Sequence, residues 1–285
     1  MKDSISGICK QAGLNYLQHN PVHGGDISKA FKLETTEGSF FLKINDVVTF
    51  PGMFQKEADG LDVISKTGAI LTPAVKGTGE FEGAQWLLLE WLNKETPSPV
   101  SWKELGHNLA ALHKHTTAQF GWHYHNYIGS LQQQNTWCDS WEECYRNNRV
   151  MPLIKKLFDA SFFSITEVKA AENMFKRIAD IYPVEPSSLL HGDLWSGNFM
   201  IAKKGRPVVF DPAIYYGHRE MDIAMTKLFG GFDSSFYHSY NNIFPLQNGW
   251  EKRIILSQLY PLLVHAVLSG GNYISQCSAI VKKWQ

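Results

Sequence analysis

Along the chain of 285 residues, short alternating stretches come first and helical periodicities dominate later. Ile5, Ile8, Cys9 and Ala12 share one helical face, which predicts a short helix within residues 2–19. AFKLET at 30–35 alternates apolar and polar positions, TEGS turns, and FFLKI at 40–44 reads as the return strand of a hairpin. Phe54, Ala58, Leu61 and Ile64 recur near 3.6 residues, predicting a helix over 54–66 that starts after Pro51-Gly52. AILTPAV at 69–75 reads as a strand, the glycine-rich residues 76–85 as a turn, and AQWLLLEWL at 84–92 as a buried strand ending near Glu90.

NKETPSPV, residues 93–100, has the composition of a linker. This divides the chain into a first lobe at 1–92 and a second at 101–285. Beyond it, WKELGHNLAALHKHT is amphipathic, with Leu105, Leu109 and Leu112 on one face. Helices are predicted over about 138–158 and 167–181, the second stopped by Pro183 and Pro186. The tail reads as helical at 219–229, 233–241 and 250–281. Strands early, helices late and a hairpin between them predict an α+β protein: a small sheet lobe and a larger, mainly helical one.

Composition removes several alternatives. Formal net charge is zero, so no field of one sign steers the chain toward nucleic acid or an anionic membrane. The four cysteines form no CxxC, and Cys138 and Cys144 have no third and fourth zinc ligand nearby in sequence. The cluster His107, His113, His115, His123 and His125 lacks metal-ligand spacing, and His113 is placed to meet a helix C-terminal dipole. No apolar leader opens the sequence and no stretch is long enough to span a bilayer. A cytoplasmic, monomeric protein with no nucleic-acid or membrane partner is expected.

The chemistry is concentrated in HGDLWSGNFMIAKKGRPVVFD, residues 191–211. Asp193 and Asn198 are five apart, and Asp211 closes an apolar run thirteen residues later, after a hairpin turn at KKGRP. Phosphoryl transfer needs a carboxylate to orient the attacking hydroxyl, and an amide and a second carboxylate to hold metal on the phosphates. Asp193 fits the first role; Asn198 and Asp211, as hard oxygen donors, fit the second with Mg²⁺. Lys43 is the single charge in an apolar strand, placed to meet the α and β phosphates of ATP, and Glu57 on the following helix is its natural partner. Gly24 and Gly25, in the turn His23–Ser28, would let backbone N–H groups approach phosphate, with the Ser28 hydroxyl beside them.

HGDLWSGN resembles the catalytic loop of the aminoglycoside-phosphotransferase-like kinases. Together with FDPAIYYGHREMDIA it resembles, more narrowly, the fructosamine (ketosamine) kinase family. The resemblance implies a two-lobe, protein-kinase-like fold with a five-stranded first lobe and ATP bound with Mg²⁺ in a crevice. Adenine would be read by the backbone carbonyl of Glu90 and N–H of Leu92. His191 would hold the loop without transferring a proton. Trp195 and Glu220 are the candidates for substrate contact, while Arg219 and Asp222 are as readily placed to lock the following helix to the loop. The implied reaction is ATP-dependent phosphorylation of the 3-hydroxyl of the sugar part of a ketoamine, free or protein-bound: a fructosamine, ribulosamine or erythrulosamine. Kinases of the same fold acting on aminoglycosides, choline or homoserine are the alternatives, and a nucleotide-binding pseudokinase or scaffold is the non-enzymatic one.

Overall fold

The computed structural model describes residues 2–22, 28–202 and 204–284. The chain forms two compact units. The first comprises Met1–Ser101 and Gly197–Pro212, the second Trp102–Ser196 and Ala213–Gln285. The division departs from the one expected at 1–92 and 101–285: the hairpin that ends at Asp211 belongs with the first unit. Its partners explain why. Val209 N–H donates to Leu71 O at 2.9 Å, and Glu95 N–H to Ile201 O at 2.7 Å. The Glu95 carboxylate also accepts from the N–H groups of Lys204 and Gly205 at the hairpin turn.

The first unit opens with α1 (Lys2–Gln11), followed by β1 (Tyr16–Val22), β2 (Lys29–Thr35), β3 (Gly38–Asp46), α2 (Met53–Lys66), β4 (Val75–Phe81) and β5 (Ala84–Glu90). The strands form one antiparallel sheet in the order β1-β2-β3-β5-β4. Alternation in β3 decides what each face does. Leu42 and Ile44 join Ile5, Ile8 and Cys9 of α1 in one apolar cluster with Phe31, Leu33, Trp86 and Leu88. Lys43, between them, points to the opposite face. There α2 buries Phe54, Ala58, Leu61 and Ile64.

Two strands of this sheet depart from the sequence reading. β1 lies where the first helix was expected to run on to residue 19. It is an edge strand that carries Pro21 and is exposed or half-buried throughout, so it shows no clean alternation. β4 is the stretch read as a glycine turn. Gly77 and Gly79 lie against the Trp86 indole, and a Cβ on Gly79 would overlap that ring. The missing side chains make room for a core tryptophan on the neighbouring strand. Residues 69–74, read as a strand, contribute only the single bridge from Leu71 to Val208.

Helix α3 (Pro99–His113) begins inside the expected linker. Ser98 and Ser101 cap it reciprocally, each backbone N–H donating to the other's hydroxyl, and Pro99 takes the first turn, where no N–H is needed. Leu105, Leu109, Ala110 and Leu112 are fully buried in the second unit. The helical run at 141–159 contains a π segment, Tyr145–Val150, and the fully buried Arg149 lies in it. Its guanidinium sits 3.9 Å over the Tyr215 ring and donates to Asn135 Oδ1 at 2.8 Å. The tail expected as one helix over 250–281 is three: Trp250–Ser257, Leu259–Ser269 and Asn272–Val281. Gly270 and Gly271, with φ of 67° and 59°, make the last break.

Gly106 on α3 meets the backbone of the helix Ser234–Ile243, and a Cβ there would overlap Phe236 O. In an unhindered helix, alanine is favoured over glycine by about 1 kcal/mol. Here the close approach reverses the sign: Gly106→Ala is expected to destabilise the protein by ~2–3 kcal/mol, read as a lower midpoint in urea unfolding. An unchanged or raised midpoint would show that the two helices can separate freely.

Candidate active site

In the first unit, Lys43 Nζ lies 2.9 Å from each carboxylate oxygen of Glu57 and 2.9 Å from Asp211 Oδ1. Position 43 on the inner face of β3, one turn into α2 at position 57, and the end of the late hairpin supply the three groups. An ammonium has three donors, and all three are engaged. Burial alone would depress Lys43, but the charges of Asp211 and Glu57 more than offset it and hold the ammonium above the usual lysine range. Burial raises Glu57, with Lys43 opposing.

Asp211 sits at φ 55°, in the left-handed region that costs a non-glycine residue backbone strain. The hairpin ladder pairs Phe199 with Val209, and Phe210 N–H donates to Asn198 O at 3.1 Å. Asn198 and Asp211 therefore stand at the same end of the hairpin. The left-handed turn redirects Asp211 out of the strand, so that one oxygen reaches Lys43 while the side chain remains 40% exposed. With two carboxylates against one ammonium, the cluster favours an added cation. Asp211 and Asn198 offer the hard oxygens that Mg²⁺ takes when phosphate oxygens and water complete its shell. Among the described residues, no group of three or more His, Cys, Asp or Glu is arranged to hold a metal on its own.

The remaining residues expected at the nucleotide are spread along the same unit. Gly24 and Gly25 lie outside the described residues. The Ser28 hydroxyl accepts from Asn45 Nδ2 at 3.3 Å, two residues beyond Lys43 on the same face of β3. Glu90 ends β5 opposite Phe40, and its carboxylate accepts from Ala74 N–H. Leu92, two residues on, is half-buried.

In the second unit, Asp193 is held on a loop that leaves the fully buried strand Ser187–Leu190. Asp222 anchors that loop. One of its oxygens accepts from His191 N–H at 2.7 Å and the other from Gly192 N–H at 2.9 Å. His113 Nε2 lies 3.2 Å from the same carboxylate, and its Nδ1 lies 2.8 Å from the Tyr240 hydroxyl. Burial lowers the pKa of His113 against the opposing pull of Asp222; with Nε2–H directed at the carboxylate, Nδ1 is the acceptor for the Tyr240 hydroxyl. Burial would raise Asp222, yet its interactions with His113, led by the hydrogen bond, and the N–H of Gly192 hold it below the ordinary carboxylate range. Gly192, at φ 85°, packs on the carbonyl of Ala213, where any Cβ would overlap. His191 Nδ1 accepts from Asp193 N–H at 3.3 Å, so the histidine shapes the loop from within.

The GHREMDIA segment is a buried knot. Arg219 pairs with both oxygens of Glu185 at 2.7 Å and donates to the carbonyls of Phe244 and Pro245. Glu220, expected at the substrate, is instead 1% exposed and gripped by Arg253 through three hydrogen bonds of 2.6 to 3.1 Å. Its carboxylate is spent on a structural ion pair. Trp195 remains partly exposed, with its ring edge-on to Phe229 at 5.7 Å. His113 is the last residue of α3, at the helix end where it was expected, and its ring joins the Asp222 network. Tyr240 and Glu185 carry no sequence signal of their roles; their partners are 127 and 34 positions away.

A paired lysine beside a strand-end aspartate, with an anchored HGD loop in the same chain, defines an ATP-dependent kinase of the protein-kinase-like class. The chain belongs to the fructosamine kinase family, whose profile matches residues 2–285. It is 38% identical over 273 residues to the "Probable ketoamine kinase" of Synechocystis sp., covering 93% of this chain and 90% of the relative. It is also 38% identical over 266 residues to the chloroplastic protein-ribulosamine 3-kinase of Arabidopsis thaliana, covering 91% and 80%. A crystal structure assigned as a fructosamine-3-kinase of Thermobifida fusca superposes with a TM-score of 0.88 at 30% identity, over 98% of both chains. An aminoglycoside phosphotransferase shares the fold at a TM-score of 0.64 and 16% identity.

Two outcomes follow from the second unit. Asp222→Asn keeps the shape but turns an NH₂ toward backbone N–H donors or His113. It is expected to lower kcat at least ~100-fold and to cost about 2–4 kcal/mol in urea unfolding. A kcat within twofold of the parent would show that the loop holds itself. His218 supplies a pH test. Burial pushes its imidazole down to about 4, with Glu185 opposing and the charges of Arg219 and Arg253 adding to the shift. Its folded pKa thus lies below the unfolded value, so its contribution is complete above pH ~6.5 and is lost as pH falls toward 4. His218→Gln should reduce the loss of unfolding free energy between pH 7 and pH 4 by roughly 3 kcal/mol. Parallel pH profiles for parent and variant would exclude this histidine as a source of acid sensitivity.

Proposed function

We propose that the protein transfers the γ-phosphate of ATP to the 3-hydroxyl of the sugar part of a ketoamine, and so acts in the removal of glycation adducts. The observation that carries the nucleotide half is the Lys43 ammonium held at 2.9 Å by both Glu57 and Asp211. The ketoamine half is supported by family membership and by the names of the relatives. Mg²⁺ at Asp211 and Asn198 would neutralise charge on the β and γ phosphates.

The residues divide the work. Lys43 has no spare donor, so meeting the α and β phosphates requires it to release one partner. Asp211 is the one to leave: its side chain is 40% exposed against 12% for Glu57, and it has metal-binding work to do. Glu57 keeps the ammonium in place during the exchange. Asp193 accepts the hydrogen bond of the sugar 3-hydroxyl and aims its oxygen at the γ-phosphorus. As the new O–P bond forms and the bond to the β-phosphate oxygen breaks, the proton passes late to Asp193, since orientation matters more than basicity in a loose transition state. Asp222 and Gly192 fix the backbone from which Asp193 projects. Gly24, Gly25 and Ser28 at the phosphates, and the backbone of Glu90 and Leu92 at adenine, complete the proposed nucleotide contacts. The reading includes a monomer in the cytoplasm, where the four buried, free cysteines would stay reduced.

The test is competition between a fructosamine or ribulosamine and kanamycin at equal concentration with ATP and Mg²⁺. Phosphate is expected on the ketoamine, and Lys43→Met is expected to lower kcat/KM for ATP by ~100-fold or more. Phosphate on kanamycin with the ketoamines untouched would overturn the substrate assignment, and an unaltered kcat/KM in the variant would remove Lys43 from the mechanism.

A further inference from the structure

A row of rings leads away from the Asp193 loop inside the second unit. Trp195, two residues past Asp193, meets Phe229 edge-on at 5.7 Å. Phe229 meets His265 edge-on at 5.0 Å, and His265 stacks on Tyr273 at 4.9 Å with planes 25° apart. Phe229 and Tyr273 are also walls of a cavity of about 510 Å³. Leu228 and Leu262 extend its apolar lining, and Asn272 and Gln276 supply neutral polar groups. The lining contains no Asp, Glu, Lys or Arg. One aromatic ring thus touches the tryptophan of the catalytic loop and walls a chamber within the usual size range of a small-molecule site.

We propose, building on the ketoamine reading, that this cavity receives the substituent carried on the amine nitrogen of the substrate, and that it selects uncharged apolar substituents. A ketoamine has two dissimilar ends. The polyol needs hydrogen bonds and belongs with Asp193. The amine substituent need not react, and beyond Trp195 it meets rings, leucines and amides. Ser269, Gly271, Asn272 and Gln276 form an exposed rim that keeps the hollow open to water, so a carboxylate or ammonium there stays hydrated and finds no counter-charge, while an apolar group covers the rings and leucines. Partial burial lowers the pKa of His265. An aromatic or aliphatic substituent gains from leaving water and from edge-on contact with Phe229 and Tyr273. The geometry therefore assigns Phe229, Tyr273 and Gln276 to specificity, separate from the residues that transfer phosphate.

Ribulosamines of benzylamine, methylamine and glycine share the sugar and differ only at this end. In the parent protein, KM for the benzylamine adduct is expected to be about tenfold below that for the methylamine adduct, with the glycine adduct the poorest. Gln276→Trp places an indole on an exposed helix position at the cavity. It should raise the benzylamine-to-methylamine KM ratio by tenfold or more, and Phe229→Ala should move the same ratio in the same direction. Each ratio is internal to one variant, so partial misfolding that scales both rates leaves it unchanged. Binding of the same adducts without ATP, followed by tryptophan fluorescence, reads the subsite independently of turnover. Adducts that bind with this discrimination but are never phosphorylated would sink the kinase assignment alone. Equal KM or Kd ratios in parent and both variants, or preference for the glycine adduct, would overturn the subsite.

Discussion

A carboxylate shut away from water governs the second unit. Asp222 is 1% exposed, and a charge at such depth persists only if every neighbour points a donor at it. Three do: the N–H groups of His191 and Gly192, and the imidazole of His113. Because those donors come from the HGD loop and from the end of α3, one charge ties a helix that starts at residue 99 to a loop at residue 191. The tie reaches further through the Tyr240 hydroxyl on His113. Removing the charge would release not one contact but the agreement among these elements on where the loop backbone stands.

The first unit handles charge differently. Its lysine and two carboxylates are closely paired but not sealed, and Asp211 is both the most exposed member and the one on a strained backbone. A sealed network suits a group whose position must not change; a partly open one suits groups that must exchange partners during a cycle. The two aspartates thus show how burial separates a fixed anchor from a working ligand. The same reasoning separates Glu220 from Glu57: both face a cation, but the first is closed off with Arg253 in the body of the second unit.

Some of this arrangement was legible in the sequence because it depends on local signals. A lone lysine in an apolar strand, a glutamate on the next amphipathic helix, and an aspartate closing a run of valines each stand out against their surroundings. The five-stranded sheet was expected from resemblance, but two of its strands were not read from the residues. β1 is a polar edge, and β4 is built around the space that Gly77 and Gly79 leave for Trp86. That reason lies on another strand. Glu220 was misread for a related cause: an acidic residue beside a catalytic motif looks the same whether it awaits a substrate or an arginine 33 positions later. Asp222 could be suspected as a lock, but its partner Tyr240 could not be seen before the chain was folded.

The membership of the hairpin at 197–212 in the first unit also bears on how the molecule is made. A nascent chain that has reached Ser101 has every strand of the large sheet, yet it lacks Asp211 for Lys43, Val209 for Leu71 and Ile201 for Glu95. About a hundred residues of the second unit must be synthesised before those partners emerge. At the ribosome the first unit therefore spends that interval with a buried ammonium short of one counter-charge, and its completion waits on a neighbour begun later. Domains usually fold in the order of synthesis; here the order of synthesis and the order of completion part company.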